Sequence, residues 1–147
     1  MKSPIPTQAF PEPIRHGRTE RIGIVSLEEG LALLKRRKRT TLFGHSINVR
    51  GLKFATFLKG PPCCSNPDCS VTFSHFVVER SLGRNKTPAP EHHNFHLNLY
   101  GIGSRGEELR FTHDHTLARS LGGADDLSNT TSMCEPCNRK KSVLENE

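Results

Sequence analysis

Two close pairs of cysteines constrain this chain more than any other feature. Cys64 and Cys69 make a C-x4-C pair inside "GPPCCSNPDCS", and Cys134 and Cys137 make a C-x-x-C pair inside "CEPCNRKK". A close pair sets two sulfurs on one side of an ion, so two pairs can supply four thiolates to one tetrahedral zinc. The 64 residues between the pairs then fix only the size of the loop that the metal closes. A disulfide framework, or plain buried thiols, would use the same residues. The N-terminal stretch "MKSPIPTQAFPEP" is Pro-rich and polar and lacks the apolar run of a secretory leader. A reducing, cytoplasmic home is therefore expected, and there a Cys cluster binds metal more often than it forms disulfides. Cys63 keeps one question open, because C-x5-C from Cys63 would serve as well as C-x4-C from Cys64. Four thiolates leave no position for water, so the zinc is expected to be structural rather than catalytic.

The composition asks for such a staple. Only 33% of the 147 residues are hydrophobic, Trp is absent, and the chain holds 12 Gly and 10 Pro. A large close-packed core is not expected from this material, and zinc binding of ~10–16 kcal/mol would offset the shortfall. No apolar run is long enough to span a bilayer, so no membrane partner is expected.

Charge is spread unevenly. Residues 1–62 hold 12 Lys/Arg against 4 Asp/Glu, whereas residues 63–147 hold 9 against 11. A lopsided positive field suits a polyanion partner, and a merely solubilising tail is the blander reading. Residues 1–20, with four Pro in the first thirteen, are expected to be disordered. Residues 21–62 read as a basic extension. "SLEEGLALLKRRKR" predicts a helix, with Ser26 and Glu29 as a capping box and Leu27, Leu31 and Leu34 on one face. Dipole complementarity wants one or two cations at the C-terminal end of a helix. Lys35, Arg36, Arg37, Lys38 and Arg39 in a row point to phosphate contacts. "TLFGHSINV" and "LKFATFL" read as short strands, "VTFSHFVVE" as another, and "FHLNLYGIGSRGEELRFTHDH" as two strands around a turn. The loop "GRNKTPAPEHHN" precedes His96, and His92, His93 and His96 read as an exposed polar stretch, with metal binding as the sharper alternative. The coarse class is α+β.

The C-terminal third carries the chemistry. It reads "THDHTLARSLGGADDLSNTTSMCEPCNRKK", with Asn129 fourteen positions and Asn138 twenty-three positions after His115. An Asp-His pair, a Gly-Gly loop, an Asn, and C-x-x-C-Asn beside basic residues fall in one register. This pattern resembles the HNH endonuclease family, the ββα-metal nucleases, over roughly residues 111–141 plus the first Cys pair. The resemblance implies a ββα-metal core in residues 63–147, stapled by a structural zinc, with an insertion at about 81–110. It implies that His115 is the general base, that Asp114 and Asn138 hold one divalent cation (Mg2+ or Mn2+), and that Asn129 ties the loop to the second strand and steadies the imidazole. It matches Cys64, Cys69, Cys134 and Cys137 to the family's zinc knuckles.

The chemistry of phosphodiester hydrolysis wants these groups for its own reasons. A hard cation with oxygen ligands stabilises the extra-negative phosphorus and the departing oxygen. The base should titrate near neutrality, as an imidazole does. Adjacent strand residues face opposite ways, so the strand is expected to end or twist at Asp114–His115 to bring both to one site. The alternative makes His113 and His115, two apart, the metal pair. Arg119 stands where many members have Pro nearby and is a candidate phosphate contact, as are Arg139, Lys140 and Lys141 beside Asn138. The expected function is metal-dependent DNA cleavage, nicking or of low specificity, by a monomer, with a dimer not ruled out. Proteins that this one resembles include phage nucleases, homing enzymes, restriction enzymes and junction resolvases. A non-catalytic zinc-ribbon DNA-binding protein or adaptor is the second reading.

Overall fold

The computed structural model describes residues 19–82 and 95–145, apart from the side chains of Arg119 and Glu145. The N-terminal tail and the loop with His92 and His93 lie outside the described residues. Strand β1 (Thr19–Ser26) leads into helix α1 (Leu27–Arg36), the short strands β2 (Thr40–Leu42) and β3 (His45–Ile47), and helix α2 (Leu52–Lys59). Strands β4 (Phe73–Ser81), β5 (Phe95–Ile102), β6 (Glu108–His115) and β7 (Thr130–Cys134) follow, and helix α3 (Glu135–Glu145) closes the chain. The class is α+β: the main sheet has the order β1-β4-β5-β6-β7, with all neighbours antiparallel, and β2 pairs with β3 in a separate ribbon. One sheet thus joins residues on both sides of the first Cys pair.

Local chemistry sets the helix ends. Ser26 Oγ accepts from Glu29 N at 3.2 Å, which starts α1. The helix stops at Arg36, inside the basic run. Arg37 takes a left-handed conformation at φ 52°, and its N–H bonds to Leu34 O. Residues 52–58, expected as a strand, form α2 instead. A seven-residue apolar run cannot be assigned by periodicity alone, and packing decides this one. Phe54 and Phe57, three apart, share a face, and Phe57 continues edge-to-face into Phe73 and then Phe111. Thr56, poor helix material by propensity, bonds back to Leu52 O at 2.7 Å and reaches Thr130 Oγ1 at 2.8 Å.

The two faces of the sheet are chemically unlike. One carries Phe76, Val78, Leu97, Leu99 and Phe111, and packs with Leu34, Ile47, Val49, Phe54 and Phe57 into a single buried cluster. Six of the eight Phe of the chain lie in it. The other face holds His75, Glu79, Tyr100, Glu108 and Arg110, read from the strand register. Glu108 is fully buried between Arg21 and His75. Glu79 accepts from Asn98 at 2.8 Å and from Tyr100, with Arg110 at 3.3 Å. Burial pushes the Glu108 carboxyl up, but hydrogen bonds from His75 and Arg21 outweigh it and hold the group below the usual carboxylate range. A low hydrophobic content thus suffices, because only one face of the sheet is oily.

Candidate active site

The two Cys pairs meet at the end of β7. The sulfurs of Cys64, Cys69, Cys134 and Cys137 all lie within 4.8 Å of one another, with Cys69 and Cys134 at 3.9 Å. A tetrahedral zinc with Zn–S near ~2.3 Å needs sulfurs roughly 3.8 Å apart, so the set fits a zinc-sized ion. No Cys is in a disulfide. Of the two candidates in the first knuckle, Cys64 joins the cluster, and Cys63 instead bridges Thr72 in the strand-like return. The knuckle hangs on the outer edge of β7, where Ser65 N donates to Ser132 O at 2.8 Å. Asn66 Nδ2 donates to Cys137 Sγ at 3.4 Å. Burial acts against the Cys137 thiolate, but the hydrogen bonds from Asn66 and neighbouring thiols hold this thiol below its ordinary value. Burial pushes the Cys134 and Cys69 thiols up. A cation among the four sulfurs would favour their thiolate forms.

Beside this cluster, β6 and β7 pair without a break from Phe111–Cys134 to His115–Thr130. The strand ends at His115, where an end was expected, but the ladder is regular up to that point, so adjacent side chains still alternate between the two faces. Asp114 faces α3, with Oδ2 2.9 Å from Lys141 Nζ. Thr112, two residues earlier, accepts from Asn138 Nδ2 at 2.9 Å and so faces the same helix. His113 and His115 lie on the opposite face, ring centroids 5.8 Å apart. The ladder stays extended because both strand ends are tied beyond it. Lys141 Nζ donates to His115 O at 2.7 Å, and Thr116 N donates to Asn129 O at 2.7 Å.

The loop 116–129 folds around Asn129. Its Oδ1 accepts from Leu117 N at 2.9 Å, and its Nδ2 donates to Leu117 O at 3.0 Å and Ala124 O at 2.8 Å. The Gly-Gly pair is a steric requirement of this fold-back. Gly122 sits at φ +92°, and a Cβ on Gly123 would lie 1.8 Å from Leu117 O. The loop returns Asp125 to His115, where Oδ1 meets Nε2 at 2.7 Å. Lys59 at the end of α2 pins the far side by donating to Leu127 O and, at 2.6 Å, to Thr130 O. Burial, the neighbouring His115 and the Lys53 charge hold the His113 imidazole below its usual range.

Asp114 and Asn138 thus share one side of the strand with hard oxygen donors. Asp114 Oδ2 is buried and has no hydrogen bond of proper angle among the described residues, the Lys141 contact being an ion pair. Asn138 spends its amide nitrogen on Thr112, so its oxygen is the atom that could accept a cation. A carboxylate and an amide oxygen suit a hard divalent cation. His113 and His115 share a face as the alternative pair requires. Among the described residues, however, the Cys set is the only group of three or more His, Cys, Asp or Glu positioned to hold a metal.

The cations fall into distinct settings. Lys35, Arg36, Arg37, Lys38 and Arg39 are all exposed. Arg139 is exposed and 3.9 Å from Glu135, Lys140 is exposed, and Lys141 turns inward to Asp114. Arg119 opens a single 3-10 turn, Arg119–Leu121. Sequence reasoning missed Asp125 and Lys59, whose partners lie across the fold. Asp125 is one of an ordinary-looking Asp pair, and only the closed loop singles it out.

Residues 103–143, which hold β6, the loop, β7 and most of α3, match the family model of HNH endonuclease. The match spans Asp114, His115, Asn129, Asn138 and the second Cys pair, and it points to nuclease and DNA-binding function. No curated protein and no solved structure matches the chain.

Proposed function

We propose that this chain is a metal-dependent DNA endonuclease, in which β6, β7 and α3 form a ββα-metal core and the four Cys hold a structural zinc. The observation that carries the reading is the gathering of Asp114, His115, Asn129 and Asn138 at one strand end, inside the segment that matches the HNH family. Residues 21–62 supply affinity for the DNA backbone, through Lys35, Arg36, Arg37, Lys38 and Arg39, and Arg119, Arg139 and Lys140 add contacts nearer the site.

The opposite facing of Asp114 and His115 suits the reaction. An in-line displacement at phosphorus places the attacking water and the leaving oxygen on opposite sides. His115 takes the proton of the water on one side of the strand end, with Asp125 holding Nε2 and orienting the ring. Asp114 and the Asn138 amide oxygen would hold Mg2+ or Mn2+. That cation, when bound, neutralises charge on the phosphate and the leaving oxygen. Asn129 acts on the loop backbone, keeping Asp125 and His115 in register. One such site cuts one strand, so a monomer nicks.

The test is cleavage of supercoiled plasmid with Mg2+ or Mn2+, comparing wild type with His115→Ala at equal zinc content. Wild type should yield open circles, and the variant should be slower by ~100-fold or more. Equal cleavage by both proteins would remove His115 from its role. DNA binding by both without cleavage would favour the non-catalytic adaptor.

A further inference from the structure

Away from Asp114 and α3, the ribbon β2–β3 and the first turn of α2 meet β5 around a cavity of about 510 Å3. Its wall includes Arg39, Asn48, Arg50, Lys53 and His96, and no acidic side chain among the described residues. Three cations converging on one hollow without a carboxylate in its wall is a costly arrangement, since like charges repel and burial penalises Lys53. The Glu79 charge relieves it only in part, at Lys53, where burial outweighs it. Arg39 Nε donates to Ser46 Oγ at 3.1 Å, a neutral partner, and Lys53 Nζ lies 4.9 Å from the centre of the Phe54 ring. Burial and the Arg110 charge pull the Lys53 ammonium down to about 8. Helix α2 begins here, with Gly51 at its N-cap and no side-chain cap, so its positive end adds to the field.

The geometry points to this cavity as a binding site for a phosphate group of the nucleic-acid strand. The proposal rests on the nuclease reading for the identity of the strand. A phosphate fits the site better than a base does, because the aromatic rings in the wall are already engaged. Phe95 is stacked by His45 at 3.8 Å and met by Arg80 at 5.0 Å, and Phe54 carries Lys53 on one face. Guanidinium forks and an amide are what a phosphate takes. Arg50 and Phe54 line a second hollow of about 460 Å3 that reaches Arg37, Asp126 and Leu127. Asp126 follows Asp125, the partner of His115. Of the basic run 35–39, Arg39 is the member that lines this site.

The test is fluorescence anisotropy with a labelled DNA duplex, carried out in the His115→Ala background with zinc loaded and no Mg2+. Arg39→Gln with Arg50→Gln, both at exposed positions, and Lys53→Gln are added separately and together. The combined variant should bind at least tenfold more weakly, and the slope of log Kd against log salt should fall by about one per lost phosphate contact. Lys53→Arg, which keeps the charge, should retain affinity. Should Lys53→Gln fail to fold by circular dichroism, the exposed pair carries the test alone. Duplexes with and without a 5′-phosphate separate the two sources: a loss confined to the phosphorylated duplex marks a terminal phosphate, and equal losses mark an internal one. Unchanged affinity and slope would overturn the site. Plasmid nicking by the otherwise wild-type chain is read in parallel. Absence of nicking beside a loss of affinity would sink only the nuclease reading, and nicking beside undiminished affinity would sink only the phosphate site.

Discussion

Asn129 spends both ends of its amide on the backbone it encloses, accepting from Leu117 N and donating to Leu117 O and Ala124 O. No other residue type of that length offers an acceptor and two donors in one plane. Asn129→Ala should free those groups at a cost of about 1–3 kcal/mol to the closed loop. Asn129→Asp should do no better, since a carboxylate would face two carbonyl oxygens. Hydrogen exchange at Leu117 N–H is the direct measurement, and it should accelerate in both variants as cleavage falls. Protection equal to wild type would mean that the loop holds its shape without the clamp. The Asp114 side chain is likewise committed within the fold, its buried Oδ2 paired with Lys141 Nζ at 2.9 Å.

At the scale of elements, α1 matters because it seats the basic run against the sheet. Gly30 makes this docking possible: a Cβ there would lie 2.1 Å from Phe76 Cδ2, on a ring that is fully buried. Gly30→Ala gains about 1 kcal/mol of helix propensity, yet forces the helix or the ring to move at about 1–3 kcal/mol or more. The net effect should be a lower urea midpoint with an unchanged denaturant slope. A more stable variant would mean that α1 does not rest on Phe76. Helix α2 illustrates the same dependence on neighbours. Its seven apolar-rich residues satisfy either period, and the aromatic chain from Phe54 to Phe111 selects the helix.

For the whole molecule, the Cys cluster joins the knuckle before β4 to the β7–α3 corner, closing most of the sheet into one loop. Domains of this size are stable by about 5–15 kcal/mol, and a structural zinc contributes ~10–16 kcal/mol. Stripping zinc should therefore abolish the cooperative thermal transition, and the metal should be recovered at one equivalent per chain by elemental analysis. A melting curve unmoved by complete stripping would show that the two sheet faces suffice. The same removal should end cleavage, because the knuckle and the β7–α3 corner lose their common anchor.

The sequence by itself determined the parts whose meaning is local or fixed by spacing. Ser26 and Glu29 set a helix start, and the Cys pairs needed only to be close pairs to form one cluster. The order Asp114, His115, Asn129, Asn138 carried the family pattern, because a strand, a loop and a helix in succession impose those intervals. Tertiary structure alone decided what depends on partners far along the chain. It turned residues 52–58 into a helix and chose Cys64 over Cys63. It kept Asp114 and His115 on opposite faces of an unbroken strand, and brought Asp125 to the imidazole. It also gathered Arg39, Arg50 and Lys53 around one cavity, although fourteen positions separate the first from the last. The physical reason is common to all of these. Side-chain direction, burial and the field of neighbouring charges are properties of packed surfaces, and a linear chain fixes them only once its strands have found their register.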